Sequence, residues 1–308
     1  MKTALLSVGQ GSQYVGMAKD ICEKYPNAMD KVELADKALG FSIGNICFEG
    51  PADTLKETRY TQPALFLHSA IVIDALKTKI QYDAVAGHSV GEYAALYAAE
   101  VLDFETAIKL VALRGQLMFN AGEFEPGTMF AVIGADDAKA EELCKKLTDE
   151  GAGAVIVPAN YNSPGQLVVS GSAEYLRAKA PEFKTVGAKI VKELAVSGAF
   201  HSPLMNPAKE ELAKAINAAD FKDAKCPVYS NVYAKPLIVA NEIKEALISQ
   251  LTAPVKWTQS MQAMSADGIT RFIEVGPGKV LQGLTKRIIP SAENFGVDNV
   301  SELDSFIS

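Results

Sequence analysis

The stretch Tyr82-Asp83-Ala84-Val85-Ala86-Gly87-His88-Ser89-Val90-Gly91-Glu92-Tyr93-Ala94-Ala95-Leu96 carries the reading of the fold. Up to Gly87 it is a short apolar run that suits a buried strand, and from Glu92 to Ala99 it is rich in helix formers. Between them, Gly87-His88-Ser89-Val90-Gly91 fits the pattern G-x-S-x-G. A sharp strand-to-helix turn at this point lifts the Ser89 hydroxyl clear of the sheet, and the flanking glycines avoid collision. The helix that follows directs its amino end at negative charge developing on an attacked carbonyl, with the Val90 N–H as first donor.

Outward from this turn the pattern continues as strand, helix, strand, helix. Ala4 to Val8 reads as a buried strand ending in a glycine turn. Thr61 is expected to cap a helix with Pro63 in its first turn, apolar on nearly every side and therefore buried. Asp103 caps another helix running to about Asn120. This alternation predicts an α/β fold with a parallel-sheet core. Beyond Pro126 the order changes: strand Met129–Ile133, helix Asp136–Leu147, strands Ala154–Pro158 and Gln166–Ser170, helix Ser172–Ala180, strand Lys189–Leu194. The polar segment Asn160 to Gly165 is read as the turn between the two middle strands. The order βαββαβ is that of a ferredoxin-like unit, so residues 126–195 are read as a subdomain inserted into a larger domain of residues 1–125 and 196–308. Strands near Val228–Val232 and Arg271–Val275 complete the reading.

A serine nucleophile needs a base, and the chain has only three histidines. His88 adjoins Ser89, where side chains diverge, and His68 falls within the buried helix. His201 remains, just before a cap (Ser202) and a helix-starting proline (Pro203), and the positive helix end there would keep the imidazole neutral. Without Ser89, an exposed loop histidine would be an equal reading. Arg114 falls on the apolar face of its helix with Ala107, Leu110, Val111 and Met118. A buried guanidinium needs a partner. An internal salt bridge or a snorkelling side chain is one reading, and a substrate carboxylate held bidentately is the other.

The 308 residues include 30 Lys+Arg against 37 Asp+Glu, a net charge of −7 that argues against a nucleic-acid partner. Four scattered cysteines without a CxxC pair read as reduced thiols. No apolar run reaches the ~18 residues of a membrane span, and a cytoplasmic protein is expected. Gly9 and Gly11 do not extend to a dinucleotide fingerprint, Gly278-Lys279-Val280 is no P-loop, and the histidines have no zinc spacing. No metal and no cofactor are implied.

With Ser89, His201 and Arg114 in view, further segments resemble one family. Gly9-Gln10-Gly11-Ser12-Gln13, Thr61-Gln62-Pro63-Ala64-Leu65, Gly87-His88-Ser89-Val90-Gly91-Glu92-Tyr93, Arg114-Gly115, Asn162-Ser163-Pro164-Gly165-Gln166, Phe200-His201-Ser202 and Glu274-Val275-Gly276-Pro277-Gly278 are similar to motifs of the malonyl-CoA:acyl carrier protein transacylases, in the same order along essentially the whole chain. The resemblance implies a hydrolase-like α/β core with the ferredoxin-like insertion, and transfer of malonyl from malonyl-CoA to the phosphopantetheine thiol of acyl carrier protein in fatty-acid synthesis, by a monomer. It implies Ser89 as nucleophile, His201 as base, Arg114 on the malonyl carboxylate, and an oxyanion hole from the Gln10 and Val90 amides. It also implies that the Gln250 main-chain carbonyl orients the histidine and that Gln62 lines the pocket. Val8 and Phe119 depart from residues usual in the family without removing a chemical group, and Phe200-His201 resembles the malonyl-selective form of polyketide acyltransferases. The competing readings are a serine esterase or thioesterase, a polyketide-type acyltransferase of other acyl selectivity, and a carrier-docking module without turnover.

Overall fold

The computed structural model describes residues 1–307. Among the described residues ten strands form two sheets: β1 (Lys2–Ser7), β2 (Ala84–Gly87), β3 (Gly127–Ile133), β4 (Ile156–Ser163), β5 (Gln166–Ser172), β6 (Ile190–Glu193), β7 (Val228–Tyr229), β8 (Pro236–Leu237), β9 (Ile269–Val275) and β10 (Glu293–Val297). The larger sheet has the order β10-β9-β1-β2-β7-β8, parallel throughout except for the β7–β8 pair at its edge. Its central strands are apolar on both faces because helices cover both: Ala4, Leu5 and Leu6 in β1, and Ala84, Val85 and Ala86 in β2, are all buried. Ser7 pairs with Gly87 on one side and Val275 on the other, so three strands end level at one edge. Ligands of open α/β sheets bind at such carboxyl ends.

The second sheet, β4-β5-β3-β6, is antiparallel. With the helix Asp137–Glu150 between β3 and β4, and Ala173–Lys179 between β5 and β6, it has the βαββαβ order of a ferredoxin-like unit. It has its own core, in which Val132, Leu147, Ile156, Leu176 and Phe183 pack together. The α/β class with a parallel core and this second unit is as the sequence indicated.

Three local expectations are corrected. The helix expected to begin at Thr61 spans Thr58–Leu76, with Pro63 inside it rather than in its first turn. Proline there leaves the Arg59 carbonyl without its helical donor, and the Thr61 hydroxyl bonds the Leu55 carbonyl at 2.6 Å instead of capping. The helix is otherwise buried on nearly all sides, as its composition implied. The segment read as a polar turn from Asn160 to Gly165 is mostly strand: β4 continues to Ser163, so only Pro164 and Gly165 turn, with Gly165 at φ +70°. Asn160 pairs in register with Val168, and its neighbour Tyr161 bonds the Val255 carbonyl, which ties the small unit to the large one. The strand expected over Val228–Val232 stops at Tyr229. The Ser230 hydroxyl accepts from the N–H groups of Val232 and Tyr233, turning the chain, and the Asn231 side chain is drawn away to the Ser89 turn.

The Thr58–Leu76 helix and the Phe104–Phe124 helix, capped by Asp103 accepting from the Thr106 N–H, pack closely. Gly115 permits this: a Cβ there would lie 2.9 Å from the Thr58 carbonyl oxygen. The contact sets Gln62 beside Arg114. No helix among the described residues is long and apolar enough to cross a membrane.

Candidate active site

β2 ends at Gly87 and the next helix, Gly91–Ala98, begins four residues later. Ser89 therefore sits at φ +52°, a left-handed conformation costly for a side-chain-bearing residue. Both flanking glycines are needed for close approach. A Cβ on Gly87 would fall 2.0 Å from the Gly91 carbonyl, and one on Gly91 would fall 2.2 Å from the Ser7 carbonyl oxygen. The obstacles are backbone, which cannot swing aside. Gly91→Ala is accordingly expected to destabilise the fold by about 3 kcal/mol or more, read as a lowered melting temperature, and to displace Ser89. An unchanged melting temperature would mean that the end of β1 yields freely.

Asn231 holds the strained turn. Its Oδ1 accepts from the Ser89 N–H at 2.7 Å and its Nδ2 donates to the Gly87 carbonyl at 2.7 Å. No motif marked Asn231, which stands 142 residues from Ser89.

Ser89 Oγ lies 2.8 Å from His201 Nε2, and His201 Nδ1 lies 2.9 Å from the Gln250 main-chain oxygen. A carbonyl oxygen only accepts, so Nδ1 carries the proton and Nε2 offers its lone pair to the serine hydroxyl. His201 is 3% exposed, at φ +58°. Burial, followed by the nearby Arg114 charge, pushes its pKa down to about 3. The imidazole is thus held neutral by its burial; Ser202 caps the 3-10 turn Pro203–Met205, which leads directly into the helix Asn206–Ala218, by accepting from the Leu204 N–H. His88 turns away from Ser89, with Nε2 2.8 Å from Asn162 Oδ1 on β4. His68 is buried against the Asp298 carbonyl at 2.8 Å.

Arg114 is 1% exposed. Among the described residues no carboxylate oxygen comes within 4.0 Å of it, so the internal salt bridge and the snorkelling side chain both fall away. Its guanidinium donates instead to neutral acceptors: Gln62 Oε1 at 2.7 Å, Ser89 Oγ at 3.0 Å and Gln250 Oε1 at 3.1 Å. Gln62 also donates to Met118 Sδ at 3.3 Å. The Gln250 side chain reaches further, with Nε2 donating to the Ser89 carbonyl at 3.1 Å and to Glu92 Oε2 at 2.9 Å. This side-chain network was not legible in the sequence.

Ser89, His201, Arg114, Gln62 and Met118 line a cavity of about 370 Å³, together with Met129, Val168 and Leu194 of the small unit. Gln10 and Val90 line it too, and among the described residues neither backbone N–H has an acceptor. Gln10 is held by its side chain, which donates to the Thr58 hydroxyl at 3.2 Å. A larger cavity of about 760 Å³ shares only His201 with this one.

The chain matches the acyl transferase domain family over residues 6–302. It is 44% identical over 287 residues to the malonyl CoA-acyl carrier protein transacylase of Staphylococcus aureus (strain MW2), covering 93% of this chain and 92% of the relative. To that of Haemophilus influenzae it is 40% identical over 307 residues, covering 99% and 97%. The solved acyl carrier protein S-malonyltransferase of Vibrio cholerae superposes with a TM-score of 0.92 at 41% identity, covering 99% of both chains. A malonyl-transacylase in complex with its type II PKS acyl-carrier protein superposes with a TM-score of 0.95 at 36% identity, covering 100% of this chain and 99% of that one.

The chain belongs to the malonyl-CoA:acyl carrier protein transacylases. Membership in this transacylase family makes it an acyltransferase and sets aside a docking module without turnover. The esterase reading loses its ground as well, because the usual triad acid is missing: Nδ1 of His201 faces the Gln250 carbonyl, not an Asp or Glu.

Proposed function

We propose that this enzyme moves malonyl from malonyl-CoA to the phosphopantetheine thiol of acyl carrier protein, with Ser89 as nucleophile and His201 as base. In the first half-reaction Ser89 Oγ attacks the thioester carbonyl and its proton passes to His201 Nε2. The coenzyme A sulfur leaves with that proton, and malonyl remains as an ester on Oγ. In the second, the carrier thiol gives its proton to Nε2 and attacks the ester, and Oγ leaves with the proton. The Gln10 and Val90 N–H groups hold the oxyanion of both tetrahedral intermediates. The Gln250 carbonyl stabilises the imidazolium in each, in place of a triad carboxylate. A thioester is exchanged for a thioester, so the overall equilibrium lies near unity.

The observation that carries this reading is a buried guanidinium, lacking a carboxylate partner, 3.0 Å from the nucleophilic oxygen. An anionic acyl group supplies the missing partner, and malonyl carries a carboxylate two bonds from the thioester carbonyl. Gln62 and Gln250 aim the guanidinium until that carboxylate arrives. The decisive measurement is intact-protein mass after brief exposure to malonyl-, methylmalonyl- and acetyl-CoA. Malonyl is expected to label the protein stably and acetyl poorly; rapid thioester hydrolysis without a carrier thiol would point to a thioesterase instead. Free cysteines, three of them buried, suit a reducing compartment, and we place the enzyme in the cytoplasm as a monomer.

The state of His201 has a kinetic signature. An imidazole of ordinary pKa 6.5 would lose its neutral form about eightfold between pH 7 and 5.5. Here the pKa is lowered to about 3, so the base remains neutral across that range. The saturated rate of Ser89 acylation is expected to stay flat from pH 7 to 5.5, measured by rapid quench. An acid limb in the saturated rate centred on pH 6.5 would show that the base titrates as an exposed histidine.

A further inference from the structure

Glu92 follows the Ser89 turn immediately and has no part in the reaction derived above, yet its carboxylate is 2% exposed on the first turn of the Gly91–Ala98 helix. Two donors fall on its Oε2: the Asn231 backbone N–H at 3.1 Å and Gln250 Nε2 at 2.9 Å. Both are neutral. Arg114, equally buried, also has only neutral acceptors. One carboxamide stands between the two charges, with Oε1 of Gln250 on the guanidinium and Nε2 on the carboxylate. Arg114 only donates and ionised Glu92 only accepts, so this amide has a single orientation that serves both.

We propose that Glu92 is a positioning residue, the counter-ion of Arg114 in an ion pair separated by the Gln250 carboxamide. The arrangement meets two opposed requirements. A buried cation needs a compensating charge. A carboxylate in direct contact with it would occupy the donors that a substrate carboxylate has to reach. Placing the compensating charge one amide away balances the guanidinium and leaves its cavity-facing edge for an incoming anion. The same amide carries the link to catalysis, since Gln250 bonds His201 Nδ1 through its main chain. The part of this inference that concerns an incoming anion rests on the role of Arg114 given above; the ion pair itself does not.

Glu92→Gln isolates the charge. Both hydrogen bonds to Glu92 use the same oxygen, which the glutamine carbonyl replaces in kind. The test is a double-mutant cycle of melting temperatures on the acyl-free enzyme: wild type, Glu92→Gln, Arg114→Gln and the double variant. Burial raises the Glu92 carboxyl to about 7, so the cycle is run at pH 8.5, where it is ionised. Glu92→Gln is expected to lower the melting temperature by about 3 °C or more beyond its effect in the Arg114→Gln background. Effects additive to within about 1 °C would overturn the ion pair and leave Glu92 a plain hydrogen-bond acceptor. Should Glu92→Gln alone fail to fold, recovery of folding in the double variant supports the pair, and a double variant that also fails overturns it. In Glu92→Gln alone, at the same pH, the KM for malonyl-CoA is expected to fall about threefold or more at unchanged acetyl-CoA KM, because a negative charge has left the anion's neighbourhood. A coupled cycle with an unchanged malonyl-CoA KM would uphold the pair and sink the substrate role of Arg114 instead.

Discussion

Ser89→Ala is expected to abolish the malonyl adduct seen by intact mass and to lower transfer to acyl carrier protein by roughly 10⁵–10⁶-fold, the scale lost when a serine nucleophile is removed from a Ser–His pair. Nothing else in the cavity can replace the hydroxyl. The four cysteines are distant in role as well as place: burial raises the Cys22, Cys47, Cys144 and Cys226 thiols to between about 11 and about 12, and none lines the cavity. Asn231 bonds the Ser89 N–H and the Gly87 carbonyl, both backbone groups that alanine at position 89 leaves in place, so the turn should persist. The melting temperature of the variant should therefore stay close to that of the wild type. A malonyl adduct retained in Ser89→Ala would remove Ser89 from its role, whatever the geometry.

Arg114→Ala separates the two halves of the proposal, acyl transfer as such and choice of the acyl group. Removing the guanidinium deprives a buried malonyl carboxylate of its partner, a loss of about 3–5 kcal/mol, or from roughly 10²-fold to several 10³-fold in kcat/KM for malonyl-CoA. Acetyl transfer has no carboxylate to lose and should change by less than about tenfold. The ratio of malonyl to acetyl kcat/KM is the measurement. Equal losses for both acyl groups would show that Arg114 supports the cavity wall and does not read the substrate. Arg114 also donates to Ser89 Oγ at 3.0 Å in the acyl-free enzyme, so a modest loss common to both substrates is expected from the freer hydroxyl.

The architecture was largely open to reading from local pattern. The run Ala84–Gly87, the turn at Ser89 and the helix after it are dictated by residues within a few positions of one another, through burial on both faces and the backbone collision that only glycine avoids. The βαββαβ order of the small unit followed equally from alternating short apolar runs and amphipathic segments. Errors occurred where a contact distant in sequence overrode a local preference. Thr61, Pro63 and the Asn160–Ser163 segment all carry strong turn or cap signals, yet packing against the Phe104–Phe124 helix and pairing with β5 place them inside regular elements. The Val228 strand was cut short because Asn231 is held at the Ser89 turn.

Of the candidate site, Ser89 was marked by its own neighbours, His201 by the small number of histidines, and Arg114 by a charge standing where its helix is apolar. Those three, with the Val90 amide and the fold class, are what residue chemistry and spacing pointed to, while Gln10, Gln62 and the Gln250 carbonyl entered through the family resemblance. Only the tertiary structure brought Ser89 to 2.8 Å from a histidine 112 residues away, supplied His201 with a carbonyl instead of a carboxylate, and showed Arg114 facing neutral acceptors with Glu92 one amide behind. The division has a physical cause. Steric limits on backbone angles and the periodicity of burial act between near neighbours and leave a written trace in the chain. Hydrogen bonds among Gln62, Glu92, Asn231 and Gln250 depend on which distant surfaces pack together, and polar residues scattered singly along a sequence carry no sign of the partners they will meet.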